Sequence, residues 1–112
     1  MRPRLALDPA SLAHRLALQQ PVETTDAQGG LDVTWVTVAN IWCALRPVRL
    51  TEETRAHQQM EDIFHDITCR FRTDIESGWR FALDGRTFTI LSAHDPDERR
   101  AYLVCRTRSE GR

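Results

Sequence analysis

The sequence predicts a mainly β protein: a small antiparallel β-barrel of about six strands with one short helix inserted midway. Three observations carry this prediction. First, Trp79, Phe81 and Leu83 alternate with Arg80, Ala82 and Asp84, the period of a half-buried strand. Second, Asp84-Gly85 and Asp95-Pro96-Asp97 are turn signals that divide residues 79–106 into a three-stranded meander. Third, other short runs rich in β-branched and aromatic residues recur along 112 residues, separated by Gly, Pro, Asp and Thr.

In chain order, residues 1–12 are a short lead-in. Asp8 and Pro9 suit the cap and first position of a single helical turn ending at Leu12. His14 to Val22 reads as the first strand, with Leu16 and Leu18 on one face and Arg15, Ala17 and Gln19 on the other. Pro21 places the end of that strand at an edge or in a loop. Thr24 to Gly30 is a loop whose paired glycines allow a sharp reversal. Leu31 to Arg46 is a long β-rich stretch in which the alternation slips near Ala39-Asn40, predicting a bend or bulge. Trp35 and Trp42 lie within it, and core packing is the plainer reading of both than a ligand stack.

Pro47 breaks the β pattern. Thr51 suits a helix cap, and Glu52 and Glu53 suit the first turn, where the helix dipole favours acids. Within this 49–61 helix or loop insertion the helix would run from Thr51 to about Met60, and its apolar content is only Ala56 and Met60. Its own burial cannot hold it, so it is either a solvated connector or a face for something outside the subunit. Ile63 to Arg72 is the next strand, with Ile63, Ile67, Cys69 and Phe71 on one face. Thr73 to Gly78 is a loop and the meander follows. There Phe88 and Ile90 face inward on the middle strand, as do Ala101, Leu103 and Cys105 on the last. Residues 107–112 read as a polar tail.

The length fits one domain, 1–112, with a stability of about 5–15 kcal/mol. The net charge of −1 provides no bulk attraction to nucleic acid or membrane. All fifteen basic residues are Arg, which reflects either genome composition or a surface rich in forked ion-pair donors. Cys43, Cys69 and Cys105 are scattered in apolar runs, so reduced buried thiols are expected rather than a disulfide framework or zinc site. No signal peptide and no membrane-crossing run is visible.

No catalytic constellation, phosphate loop or metal-ligand spacing stands out, and no cofactor or metal is expected. His94-Asp95-Pro96-Asp97-Glu98 is the densest acidic cluster, but Asp and Pro are what such turns use. His65 and Asp66 fall on opposite faces of a strand, and His14 and His57 are isolated. Arg70, Arg72, Arg80 and Arg86 would form a local basic patch if their strands paired. A small β-barrel that binds nucleic acid is therefore the alternative function, and a small hydrolase with a hidden site is a third.

The ordered landmarks carry a resemblance. They are His14-Arg15-Leu16, Gln20-Pro21-Val22-Glu23, Asp26 to Gly30, Trp35, Trp42-Cys-Ala-Leu-Arg-Pro47, Glu53 and Ala56. Thr68 to Arg72, the Gly85 hairpin with Phe88 and Ile90, Asp95-Pro96, Arg99-Arg100 and Leu103-Val-Cys105 complete the set. From about residue 13 to 106 the chain resembles the head–tail joining family of long-tailed phages and gene transfer agents, also called head-closure or stopper proteins. The residues after Pro47, Val48-Arg49-Leu50, depart from the small residues common there. The resemblance implies a structural connector that is not an enzyme. It would form a closed ring, six- or twelvefold, between the portal–adaptor proteins and the tail terminator or tail tube. Such a ring retains packaged double-stranded DNA without reading its sequence and docks the tail, in a particle assembled in the bacterial cytoplasm. A ring contact needs two complementary patches on one subunit. Arg49, Glu52, Glu53 and Arg55 are the candidate ring or channel contacts.

Overall fold

The computed structural model describes residues 9–48 and 62–110. A 3-10 turn at Pro9–Ser11 leads into six strands: β1 (His14–Thr25), β2 (Leu31–Pro47), β3 (Asp62–Arg70), β4 (Arg80–Leu83), β5 (Arg86–His94) and β6 (Tyr102–Glu110). Every pairing is antiparallel. The spatial order is β1-β2-β3-β6-β5-β4, and β4 pairs back onto β1, so the sheet closes on itself as a barrel. Closure removes the open edges that a six-stranded sheet would otherwise present.

The β4–β5–β6 meander is the one the turn signals predict. Asp84 (φ 47°) and Gly85 (φ 82°) both adopt the left-handed conformation that a two-residue hairpin of this hand requires. At the next turn the Asp95 carboxylate accepts the Arg100 N–H at 2.8 Å, while Glu98 and Arg100 take positive φ. This acidic cluster is thus tied into a turn. Among the described residues no group of three or more His, Cys, Asp or Glu is placed to hold a metal.

Alternate residues of the strands fill the interior. Leu16, Leu18, Ile67, Phe81, Phe88 and Ile90 are fully buried, with Cys43, Cys69 and Cys105 among them. Each large apolar side chain removed from water contributes about 1.5–3 kcal/mol. The three thiols are free and buried: burial pushes Cys43 up, and the hydrogen bond between Cys69 and Cys105 raises Cys105 and lowers Cys69.

Several expectations need correction. Strand β1 continues past Val22 to Thr25, through Pro21, which lies at an edge as expected, where β1 no longer pairs with β4. The expected polar tail begins as strand, since β6 runs to Glu110. Thr107 and Ser109 are buried there because their hydroxyls donate to the carbonyls of His65 (3.0 Å) and Ile63 (3.4 Å) on β3. Ile63 is exposed and Ala101 faces solvent just before β6, whereas His65 is an inward residue of β3. Trp35 and Trp42 are not core residues: Trp42 is 55% exposed and Trp35 half-buried. The reason lies in the bulge. Leu18 faces Ala39 but Gln19 faces Thr37, so Val38 is an extra residue on β2. One inserted residue reverses the alternation, and positions 35 and 42, which strict alternation would put on opposite faces, both face outward. The expected helix or loop at 49–61 lies outside the described residues.

A candidate interaction surface

The β1–β2 pair is much longer than the barrel that contains its base. Strand β1 pairs with β4 only over Ala17–Gln19, and β2 pairs with β3 only over Cys43–Pro47. Beyond Gln19 the two strands pair, among the described residues, only with each other, from Gln20–Val36 to Thr25–Leu31. The result is a two-stranded ribbon standing about 20 Å beyond the last β4 pairing, at about 3.3 Å per residue.

The ribbon has a fixed base and a fixed tip. At the base, Arg80 on β4 donates through Nε to Gln19 Oε1 (2.7 Å), and its guanidinium lies 4.1 Å from the centre of the Trp35 ring. Gln19 Nε2 donates to Thr37 Oγ1 (3.2 Å) across the strands. At the tip the Asp26 carboxylate accepts the N–H groups of Gln28 (2.9 Å) and Gly30 (2.7 Å). Gly29 sits at φ 82°, a conformation that favours glycine, and a Cβ on Gly30 would meet the Asp26 carboxylate at 2.8 Å and displace it.

Between base and tip the ribbon is apolar and acidic. Leu31 (66% exposed) and Val33 (53%) share its outer face with Glu23, while Val22 and Val36 lie exposed on the other. Residues 20–36 hold Glu23, Asp26 and Asp32 and no basic residue.

A second surface lies on the barrel shoulder. Trp42 stands beside Arg15 across the β1–β2 pairing, both facing outward. A groove of about 330 Å³ runs past it, lined by Leu12, Asn40, Ile41, Trp42, Phe71 and Arg70, with Cys69 and Arg72 completing the wall. Arg72 forms a two-pronged ion pair with Asp74 (3.0 and 2.8 Å), which holds its own charge on and lowers the Asp74 carboxyl. Arg70 and Arg15 are exposed. The anticipated single basic patch is therefore divided. Arg70 and Arg72 line the shoulder groove, Arg80 holds the ribbon, and Arg86 lies over the Phe88 ring at 4.8 Å.

At the opposite end of the barrel, His65 packs edge-on against Phe88 with ring centres 5.3 Å apart. Burial, aided by Arg86, holds its imidazole below the ordinary value, so it sits neutral, and its Nδ1 has no hydrogen-bond partner. Asp66 faces outward and pairs with Arg106 at 2.6 Å, so His65 and Asp66 do not act together. The four candidate contact residues, Arg49, Glu52, Glu53 and Arg55, lie outside the described residues. The ribbon and the Trp42 shoulder went unrecognised as surfaces in the sequence reading. The signal available for them was the alternation slip at Ala39-Asn40, combined with the absence of basic residues from 20 to 36.

A family model described as phage head completion protein matches residues 7–110. Among solved structures, a chain of the virion of a native gene transfer agent particle is similar with TM-score 0.68 and 23% identity, covering 97% of each chain. The solution structure of protein SF1141 from Shigella flexneri 2a is similar with TM-score 0.67 and 23% identity, covering 92% of this chain and 96% of that one. These two likenesses establish a shared fold. A search of curated proteins found no match.

Proposed function

The chain belongs to the phage head completion protein family, and from that premise we propose that it is a head–tail connector. Copies form a closed ring, six- or twelvefold, below the portal–adaptor proteins. The ring retains packaged double-stranded DNA and presents a docking surface to the tail terminator or tail tube. The site of action is the head–tail junction of a phage or phage-like particle, as the gene transfer agent likeness suggests.

The single observation that carries this reading is the family match from residue 7 to 110, which spans all six strands. The surface supports it. The subunit exposes Leu31, Val33, Val36, Val38 and Trp42 along one strand, apolar side chains available for contact with other subunits. Arg49, Glu52, Glu53 and Arg55 are proposed as further ring or channel contacts.

The test is add-back. Particles made without this chain should accumulate as tailless heads, and purified protein should restore joined particles visible by electron microscopy. Reversing the four charges should abolish restoration while leaving the melting temperature of the isolated chain unchanged. Joined particles formed without the chain would end the proposal.

A further inference from the structure

We propose that the ribbon of one copy docks on the Trp42 shoulder of the next, with Leu31 and Val33 against Trp42 and Glu23 between Arg15 and Arg70. The inference rests on the ring reading and supplies its contact residues among the described strands.

Charge complementarity argues for a second copy as the occupant. The ribbon carries three acids and no base between residues 20 and 36. The shoulder flanks an exposed tryptophan with two exposed arginines. The outer face of the ribbon offers Leu31 and Val33, 66% and 53% exposed, and the shoulder answers with Trp42 at 55%. Aromatic and Arg anchors of this kind are enriched where protein surfaces meet.

Geometry excludes a contact within one copy. Leu31 and Trp42 lie on the same strand, about 33 Å apart at the usual rise per residue with Val38 bulged out. The ribbon is clamped at its base by Arg80 and its two strands stay paired out to the Thr25–Leu31 pair, which holds Leu31 away from the groove of its own copy. The two patches differ, so the contact is heterologous and repeats head to tail, the arrangement from which rings close. Among the described residues neither strand edge of the ribbon is paired beyond the barrel, and an isolated two-stranded hairpin is marginal in water. Seating it against a neighbour completes what the subunit leaves open.

The test uses cysteine cross-linking in particles that contain the chain. Cys43, Cys69 and Cys105 are buried, so a short bismaleimide will react with introduced surface thiols. Thr25→Cys lies on the outer face of the ribbon beside Leu31, and Asn40→Cys lies in the groove beside Trp42. Neither removes a proposed contact. The double variant should give a ladder of linked chains, and each single variant should give none. Linking of T25C to T25C would overturn the proposal, as would the absence of links in joined particles containing the chain. Charge exchange provides a second measurement. Glu23→Arg or Arg70→Glu alone should lower the yield of joined particles about tenfold, and the two together should recover it. Failure of the pair to recover the yield would count against the contact. If Trp42→Ala instead abolished salt-sensitive oligonucleotide binding by the free chain while joining was unaffected, the shoulder would be a nucleic-acid surface and the docking inference would be wrong. Each of these leaves the connector reading standing, which fails only if junctions form without the chain.

Discussion

The barrel body and the ribbon use the same two strands for opposite purposes. Within the body, β1 points Leu16 and Leu18 into a core closed by Phe81, Phe88 and Ile90. Past Gln19 the same strand has no β4 beside it, and every residue from Pro21 to Thr25 is exposed. On β2 the change is marked by one inserted residue, Val38, which turns the alternation over. The difference teaches that side-chain period alone specifies a strand and not what covers it. The body is stabilised by burial against its own chain. The ribbon is held by a clamp at its base and a turn at its tip, and its faces await something else.

That contrast can be broken first at the core. Phe88→Ala should cost about 3–5 kcal/mol in a urea melt, because it empties a fully buried ring site. A cost below 1 kcal/mol would mean the body is not a packed core. Arg80→Ala tests the clamp. Removing its hydrogen bond to Gln19 and its stacking on Trp35 should cost about 1–2 kcal/mol and loosen the ribbon while the body stays intact. The expected sign is faster amide exchange in the ribbon, with the β3–β6 amides unchanged.

A smaller effect should appear with pH. The folded chain holds His65 neutral by burial, with Arg86 adding to it, so its folded value lies below the ordinary one near pH 6.5. The unfolded state then binds the proton more readily, and stability is lost as pH falls below about 6.5. His65→Leu should flatten that limb of a pH–stability curve; an unchanged limb would assign it to other groups. Least of all should be felt on the ribbon. Leu31→Ser and Val33→Ser should shift the stability of the free chain by less than about 0.5 kcal/mol, while joined particles are lost.

Much of the body was legible in sequence because its signals are local. Asp84-Gly85 names its own hairpin, and the alternating Phe81, Phe88, Ile90, Leu103 and Cys105 name the inward face. What was not legible depends on distant partners. Trp35 and Trp42 look like core residues until the register of β2 against β1 shows where the extra residue sits. The slip at Ala39-Asn40 is visible in the sequence, but its consequence for both tryptophans requires knowing that Gln19 faces Thr37. Thr107 and Ser109 read as tail because the carbonyls that satisfy them belong to β3, more than forty residues away. His65 shares the alternation of Ile67 and Cys69, so its inward direction was legible; what was not is the Phe88 ring it packs against, which comes from another strand.

Amide hydrogen exchange, measured on the free chain and on the same chain in purified particles, tests the division between body and ribbon most directly. The account predicts that amides of residues 20–25 and 31–36 exchange rapidly in the free chain and become protected in particles, while those of β3, β5 and β6 change little. Equal protection of the ribbon in both states would contradict it.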